Sequence, residues 1–182
     1  SRAGALLVIC LVLSTIFSAN WLAAFYGIVK LFEFFYIGVF VSMFFKKREM
    51  ELSQFTFTMG ALVESIILFF QFVSQHSLGG VFYFLGERTF SVSTPGISTF
   101  QFMGQELLRP YGTFPHPNVV AFYLLLTIVW LLSSISLQKE SRSYLKIFAV
   151  AVISLGVLLT FSRVIILLLI TVIVFYIYKM AK

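Results

Sequence analysis

The residues of this chain that could do chemistry are cations beside long apolar segments, where a charge needs a counter-ion. They are Lys30, Arg88, Arg109, His116 and Arg163. Guanidinium groups pair bidentately with phosphate oxygens, and several cations at one depth suit a diphosphate. These residues are therefore predicted to bind a diphosphate. Arg163 is the strongest candidate, because an arginine between two apolar segments needs an anion, water or a partner.

The other cations also have plainer interpretations. Lys30 and Glu33 are three residues apart, so they would neutralise each other on one helix. Arg88 follows Glu87 and would pair with it or with phospholipid headgroups. His116 lies between two prolines with no carboxylate nearby in sequence, which favours a structural role. Both interpretations of each residue stay open at the level of the sequence.

Other kinds of site find little support. The chain has no paired-histidine metal motif, no CxxC pair and no glycine-rich phosphate loop, so neither a metal nor a cofactor is expected. Glu64 lies in the middle of an apolar segment. It is predicted to be either the partner of one of the cations or a group that carries a proton.

Composition indicates the class of protein. Of the 182 residues, 60% are hydrophobic and 11% are charged, whereas soluble domains average about 25% charged residues. An aromatic share of 18% excludes a disordered chain. The basic residues behind the net charge of +6 are dispersed between apolar runs, which indicates membrane topology rather than nucleic-acid binding. The expected fold class is all-α, a polytopic transmembrane helical bundle.

Segments of about 20 apolar residues, the length needed to cross a bilayer, define the elements that position the cations. About six spans are predicted, near 4–20, 24–45, 54–76, 118–137, 147–160 and 164–178. The stretch 147–178 is too long for one untilted span, so two short helices meeting at Ser162 and Arg163 are favoured. The alternative is one long tilted helix, which would bury Arg163 at a cost of at least ~2.5 kcal/mol.

Charge orients these spans, because basic residues concentrate on the cytoplasmic side. The basic run at 46–48 and the basic residues of 139–146 place the loops 46–53 and 138–146 in the cytoplasm. The long segment 77–117 is then an external loop. The chain is expected to be a single transmembrane domain and, since it begins with Ser1 beside an apolar segment, a fragment of a longer protein.

The external loop has its own local signals. The aromatic stretch 81–85 suits the lipid interface. The segment RPYGTFPHPN at 109–118 holds three prolines and a glycine, which exclude a regular helix there. Asn118 is expected to cap the helix that follows, and a helix N-terminus at this surface is an incipient anion site.

Two motifs resemble a known family, the O-antigen ligase and O-antigen polymerase superfamily of bacterial membrane glycosyltransferases. RPYGTFPHPN at 109–118, leading directly into a span, is similar to the family's R-x-x-G-x-F-x-x-P-N element. Thr160-Phe161-Ser162-Arg163, between two short apolar helices, is similar to its T-x-S-R element. Lys30 resembles in placement a lysine often seen in the family. Val164 departs from the small residue that commonly follows the Ser-Arg pair.

The resemblance implies glycan transfer at the outer face of the bacterial inner membrane. The donor would be a glycan linked to polyprenyl diphosphate, and the acceptor a hydroxyl of a lipid, a glycan or a protein. Arg163 and Arg109 would hold the diphosphate, with Lys30 assisting and without a metal. The family's catalytic histidine lies in a later external loop. The base is therefore expected beyond residue 182, and the 182 residues alone are expected to be inactive.

Two other classes of function fit the same composition. A transporter or flippase of an anionic lipid or solute would also line a path with cations and a mid-membrane glutamate. A non-catalytic membrane subunit would tolerate changes in the segment 109–118 without loss of function. The choice between ligase and polymerase activity, like the oligomeric state, stays open.

Overall fold

The computed structural model describes the backbone of residues 2–137 and 143–181, and the side chains of 8–135 and 144–181. The long helices are α1 (Arg2–Ile16), α2 (Trp21–Phe44), α3 (Lys47–Ser74), α5 (Pro117–Leu137), α6 (Ser143–Leu159) and α7 (Arg163–Ala181). A short helix, α4 (Val81–Phe84), and two strands, β1 (Thr99–Phe102) and β2 (Gln105–Leu108), lie between α3 and α5. The chain forms two compact units, Ser1–Met50 and Glu51–Lys182.

Among the residues that the structure describes, four helical segments are long and apolar enough to cross a membrane, which indicates a helical membrane protein. They are Trp21–Phe44, Lys47–Ser74, Pro117–Ile135 and Arg163–Ala181. The apolar stretch of α6, Tyr144–Leu159, is shorter, and α1 has 15 residues. Since a span needs about 17 to 25 residues, the predicted total of six spans remains a prediction.

The stretch 147–178 forms two helices, as the favoured interpretation of the sequence expected. α6 ends at Leu159 and α7 begins at Arg163. Between them Phe161 adopts a left-handed conformation with a φ of 50°, which ends a helix and is uncommon for a residue other than glycine. The break therefore has a conformational cause, although the sequence carries neither glycine nor proline there.

The predicted loop 46–53 is mostly helical, and this prediction was wrong. α3 begins at Lys47, and the Glu49 carboxylate accepts a hydrogen bond from the backbone N–H of Lys46 at 3.1 Å. Hydropathy marks the apolar part of a helix, whereas Lys, Glu, Met and Leu continue the helix beyond it. In the predicted loop 138–146, residues 138–142 lie outside the described residues and α6 already begins at Ser143.

The first unit contains α1 and α2, joined at residues 17–20. Asn20 caps α2, because its side-chain oxygen accepts a hydrogen bond from the N–H of Ala23 at 3.2 Å. α2 has no buried residue within this structure. Lys30 belongs to this unit.

The second unit has an apolar core formed by α3, α5, α6 and α7, with fully buried side chains from α3 (Leu68), α5 (Leu124, Ile128) and α6 (Ile153, Val157). Gly156 allows a close approach of α6 to α3. A Cβ atom there would lie 2.5 Å from the Ser65 hydroxyl oxygen and 3.2 Å from Leu124 Cδ1.

The predicted external loop 77–117 is a folded segment with its own small core. Phe90, Leu108 and Tyr111 pack together there. β1 and β2 form an antiparallel hairpin, with Thr99 opposite Leu108 and Phe102 opposite Gln105. The sequence analysis missed this hairpin, because four-residue strands joined by Met103-Gly104 lack the Asn-Gly or Asp-Gly signal of a tight turn.

The close approach of α6 to α3 predicts that Gly156→Ala destabilises the protein. The new methyl group would push against Ser65 and Leu124, and overpacking of this kind costs about 1–3 kcal/mol. Gly38→Ala is the matched control, since Gly38 is also helical and a Cβ there meets nothing within 4 Å. Thermal unfolding in detergent should show a lower Tm for Gly156→Ala and an unchanged or higher Tm for Gly38→Ala. Equal Tm values would contradict the packing.

Candidate functional site

Arg109 and Arg163 line one pocket, which has a volume of about 500 Å³. Three elements meet around it. Arg109 follows strand β2, Asn118 lies in the first turn of α5, and Arg163 is the first residue of α7. The remaining lining residues are Thr99, Phe100, Phe161, Ser162, Val164 and Ile165. The pocket thus combines two guanidinium groups with aromatic rings and the beginnings of two long helices.

Arg109 is fixed by hydrogen bonds to the connection between α6 and α7 and to helix α5. Its Nε donates to the carbonyl oxygen of Thr160 at 2.9 Å, and its Nη2 donates to Oδ1 of Asn118 at 2.7 Å. The Thr160 carbonyl lies just beyond the C-terminus of α6, where a cation is electrostatically favoured. Nη1 has no partner among the residues that the structure describes, so Arg109 is anchored and still has donors for a ligand.

Burial lowers the pKa of Arg109; Tyr111 raises it, and the positive charge of Arg163 lowers it. An arginine keeps its charge in proteins nonetheless. Two like charges are therefore held near each other, and Arg109 is in addition partly removed from water. An anion placed between the two guanidinium groups would offset both effects.

Arg163 is held less firmly than Arg109. Its side chain is exposed and has no hydrogen-bond or ion-pair partner in the described parts of the chain. The first backbone bond of α7 runs from the N–H of Ile166 to the carbonyl oxygen of Ser162 at 2.9 Å. The N–H groups at the start of the helix, which carry partial positive charge, therefore lie at the same pocket.

His116, rather than Asn118, caps α5. The helix begins at Pro117, and Nδ1 of His116 accepts a hydrogen bond from the backbone N–H of Asn118 at 3.1 Å. Proline suits the first helical position because its missing N–H needs no partner there. The expected capping role of Asn118 was wrong, since its Oδ1 instead binds Arg109. Nε2 of His116 lies 3.5 Å from the Ser98 hydroxyl oxygen.

Lys30 is not among the residues lining the pocket. Its Nζ lies 2.7 Å from Oε2 of Glu33, within the first unit of the chain. This ion pair is the plainer interpretation that the sequence offered for Lys30.

Arg88 is also outside the set of residues that line the pocket. It is exposed and donates a long hydrogen bond of 3.4 Å to the carbonyl oxygen of Pro115. Glu87, which the sequence offered as its partner, is buried. Its carboxylate accepts hydrogen bonds from the backbone N–H groups of Leu78 and Gly79, each at 2.7 Å. Glu87 thus organises the start of segment 77–117.

The segment that carries Arg109 is bound to one face of α3. The side-chain oxygen of Gln71 accepts hydrogen bonds from the backbone N–H groups of Tyr111 and Gly112, at 3.0 and 2.8 Å. The Glu64 carboxylate accepts from both the backbone N–H and the hydroxyl of Thr113. Glu64 is therefore neither the partner of a cation here nor exposed to water.

Gln75 extends this set of contacts beyond the end of α3, because its side-chain oxygen accepts from the N–H of Leu108 at 2.7 Å. We call Glu64, Gln71 and Gln75 the α3 clamp. The sequence analysis singled out only Glu64. Gln71 lies seven residues after Glu64 on the same face of an apolar helix, and that spacing is the signal that could have identified it. Gln75 lies beyond the end of α3 and carries no such signal.

The α3 clamp predicts that Gly112 tolerates no side chain. Gly112 has a φ of 61°, and a Cβ atom there would overlap the Glu64 carboxylate. Gly104 has a comparable φ of 81° with nothing within 4 Å. Alanine at either position costs about 1–2 kcal/mol of backbone strain, so Gly112→Ala should lower the Tm clearly more than Gly104→Ala. Equal losses would show that Glu64 does not contact this turn.

Comparison of the chain with protein-family models, with curated proteins and with solved structures gives no match. The resemblance to the O-antigen ligase and polymerase superfamily therefore rests on the two motifs in the sequence. The geometry described above stands independently of that resemblance. In the described part of the chain, it combines four helices that are long and apolar enough to cross a membrane with two arginines, from separate motifs, at one pocket.

Proposed function

We propose that the chain is the donor-binding part of a membrane glycosyltransferase of the O-antigen ligase or polymerase type. Its ligand is a glycan linked to polyprenyl diphosphate, and its pocket binds the diphosphate. The glycan passes to a hydroxyl of a lipid, glycan or protein acceptor at the outer face of the bacterial inner membrane. The six predicted spans, with the basic loops in the cytoplasm, belong to the same proposal.

The observation that carries this proposal is the meeting of Arg109 and Arg163 at one pocket. Arg109 reaches the corner between α6 and α7 by its bond to Thr160, 51 positions away in the sequence. Two guanidinium groups, one anchored and one unpaired, match the charge of a diphosphate better than that of a single carboxylate. The N-termini of α5 and α7 add positive potential at the same place.

The chemistry follows from where charge develops. When an acceptor hydroxyl attacks the anomeric carbon, the bond between that carbon and the diphosphate oxygen breaks, and the hydroxyl proton passes to a base that is not assigned to a residue of this chain. The electron pair leaves with the diphosphate, whose negative charge on that oxygen grows. Arg109 and Arg163 would stabilise this charge without moving, which is the kind of electrostatic effect that usually contributes most to catalysis.

His116 is not assigned the role of base. Because its Nδ1 accepts the N–H of Asn118, the neutral ring carries its proton on Nε2, the nitrogen nearest Ser98. Neither nitrogen of that ring is then free to accept a proton from an acceptor hydroxyl. His116 instead supports the first turn of α5, which holds Asn118 against Arg109.

The proposal predicts that the detergent-purified protein binds undecaprenyl diphosphate through both arginines. Arg109→Ala and Arg163→Ala should each weaken binding by roughly tenfold or more, equivalent to about 1.4 kcal/mol. Arg109→Lys should also weaken binding, because lysine does not reproduce the two anchoring bonds of the guanidinium group. Lys179→Ala, at the opposite end of α7, removes the same charge and should leave the affinity unchanged.

Undecaprenyl monophosphate serves as the matched ligand control, because it has the same lipid tail and one phosphate fewer. The proposal requires that the arginine substitutions affect the diphosphate more than the monophosphate. The proposal would be contradicted if all variants bound the diphosphate equally, or if the wild type did not bind it. Both arginines would then have a structural role. Arg88→Ala tests the remaining candidate cation of the external segment and should cost less than either pocket arginine.

A further inference from the structure

We infer that the α3 clamp positions Arg109, so that Glu64 and Gln71 control diphosphate affinity without touching the ligand. This inference rests on the proposed function for its binding measurement. The geometry it uses does not depend on that function. Glu64 and Gln71 are buried, and neither belongs to the residues that line the pocket.

The first step is the complete accounting of backbone N–H groups from 108 to 113. Leu108 donates to Gln75, and Arg109 donates to the carbonyl oxygen of Ser98 at 3.1 Å. Residue 110 is proline and has no N–H. Residues 111 to 113 donate to Gln71 and Glu64. Every donor of the segment is therefore satisfied, and all but one of the acceptors are side chains of the α3 clamp.

The backbone of Arg109 is held through its neighbours in this segment. It lies between one residue held by Gln75 and a run held by Gln71. Its backbone is therefore fixed on one side by Gln75, just beyond the end of α3, and on the other by Gln71 within α3. Its side chain then reaches Thr160 and Asn118, which belong to other elements. The α3 clamp consequently fixes the position of the Arg109 backbone, from which the guanidinium group extends to the pocket.

Gln71 is itself held in place by further hydrogen bonds. Gln71 also donates from Nε2 to Oε1 of Glu87 at 2.7 Å and to the carbonyl oxygen of Gly112 at 3.0 Å. Both ends of its amide are thus engaged. Removing either Glu64 or Gln71 leaves buried N–H groups of the segment without an acceptor. Such groups are costly to bury unpaired, so the segment would shift toward water or another acceptor and would carry Arg109 with it.

A double-mutant cycle tests this inference. Glu64→Leu and Gln71→Leu should each weaken binding of undecaprenyl diphosphate by roughly three- to tenfold per folded molecule. Glu64→Gln keeps an acceptor for Thr113 and should bind the diphosphate with nearly wild-type affinity. In the Arg109→Ala background neither leucine variant should weaken binding further. Equal losses in both backgrounds would overturn the positioning role, since a general loss of structure is additive with the loss of Arg109.

Ser65→Ala is the control for the helix itself. Ser65 is buried on α3 next to Glu64, and its hydroxyl donates to the carbonyl oxygen of Ala61 in the same helix. Its substitution should leave the affinity unchanged. Where a leucine variant does not fold, Thr113→Val removes the hydroxyl that donates to Glu64 while keeping the side-chain volume. It should weaken binding in the same, Arg109-dependent way, and wild-type affinity would overturn the inference.

A spectroscopic readout separates this inference from the proposed function. The Arg109 Nε–H bond to Thr160 should give a nitrogen-15 NMR signal that exchanges slowly with water and that Arg109→Lys abolishes. Clamp variants should lose that signal even without ligand, whereas Ser65→Ala should keep it. If the wild type does not bind the diphosphate, the proposed function fails. The NMR signal then still tests whether the α3 clamp positions Arg109. Its retention in Glu64→Leu or Gln71→Leu would overturn the inference.

Discussion

The two hydrogen bonds that hold Arg109 in place, against the repulsion of a second guanidinium group, are the interactions on which the rest of the site depends. Arg109 and Arg163 share a pocket, and burial of Arg109 makes the repulsion harder to screen. Such a pair persists when other interactions hold at least one of the two groups in place. Arg109 has those interactions in Thr160 and Asn118, and Arg163 has freedom to move toward water. If the pocket binds a diphosphate as proposed, Arg109 is already in position for it, and Arg163 is free to turn toward it.

The fold of segment 77–117 holds the backbone of Arg109 in place. Its polar backbone would be costly to leave unpaired beside apolar helices, and the α3 clamp supplies acceptors where the chain cannot form a helix. The prolines that exclude a helix also reduce the number of N–H groups that need partners. Gly112 then allows the segment to approach the Glu64 carboxylate closely enough for both bonds to Thr113. The irregular conformation is therefore as fully specified as a helix would be.

The sequence predicts the helices well and the contacts between them poorly, for physical reasons. Apolar length and the positions of Arg163 and the prolines are local properties, so the break before α7 and the start of α5 near residue 117 could be predicted. The α3 clamp could not, because a glutamine in an apolar helix does not reveal which distant N–H group it binds. Similarly, Lys30 matched the other cations in type, but its ion pair with Glu33 depends on a helical spacing that favours the local partner.

Phe161 links the helix break to the pocket. Its left-handed conformation carries a cost of order 1–3 kcal/mol for a residue with a bulky side chain. The ring is stacked on Phe100 of the hairpin, with centroids 3.7 Å apart, and contacts Phe72 of α3 at 5.7 Å. Those contacts offset the strain, since an aromatic pair contributes about 0.5–1.5 kcal/mol beyond the area that it buries. A glycine at this position would remove the strain, but it would also remove the side chain that joins α3, the hairpin and the α6–α7 corner. The strained residue therefore lies between the Thr160 carbonyl, which binds Arg109, and Arg163, where α7 begins.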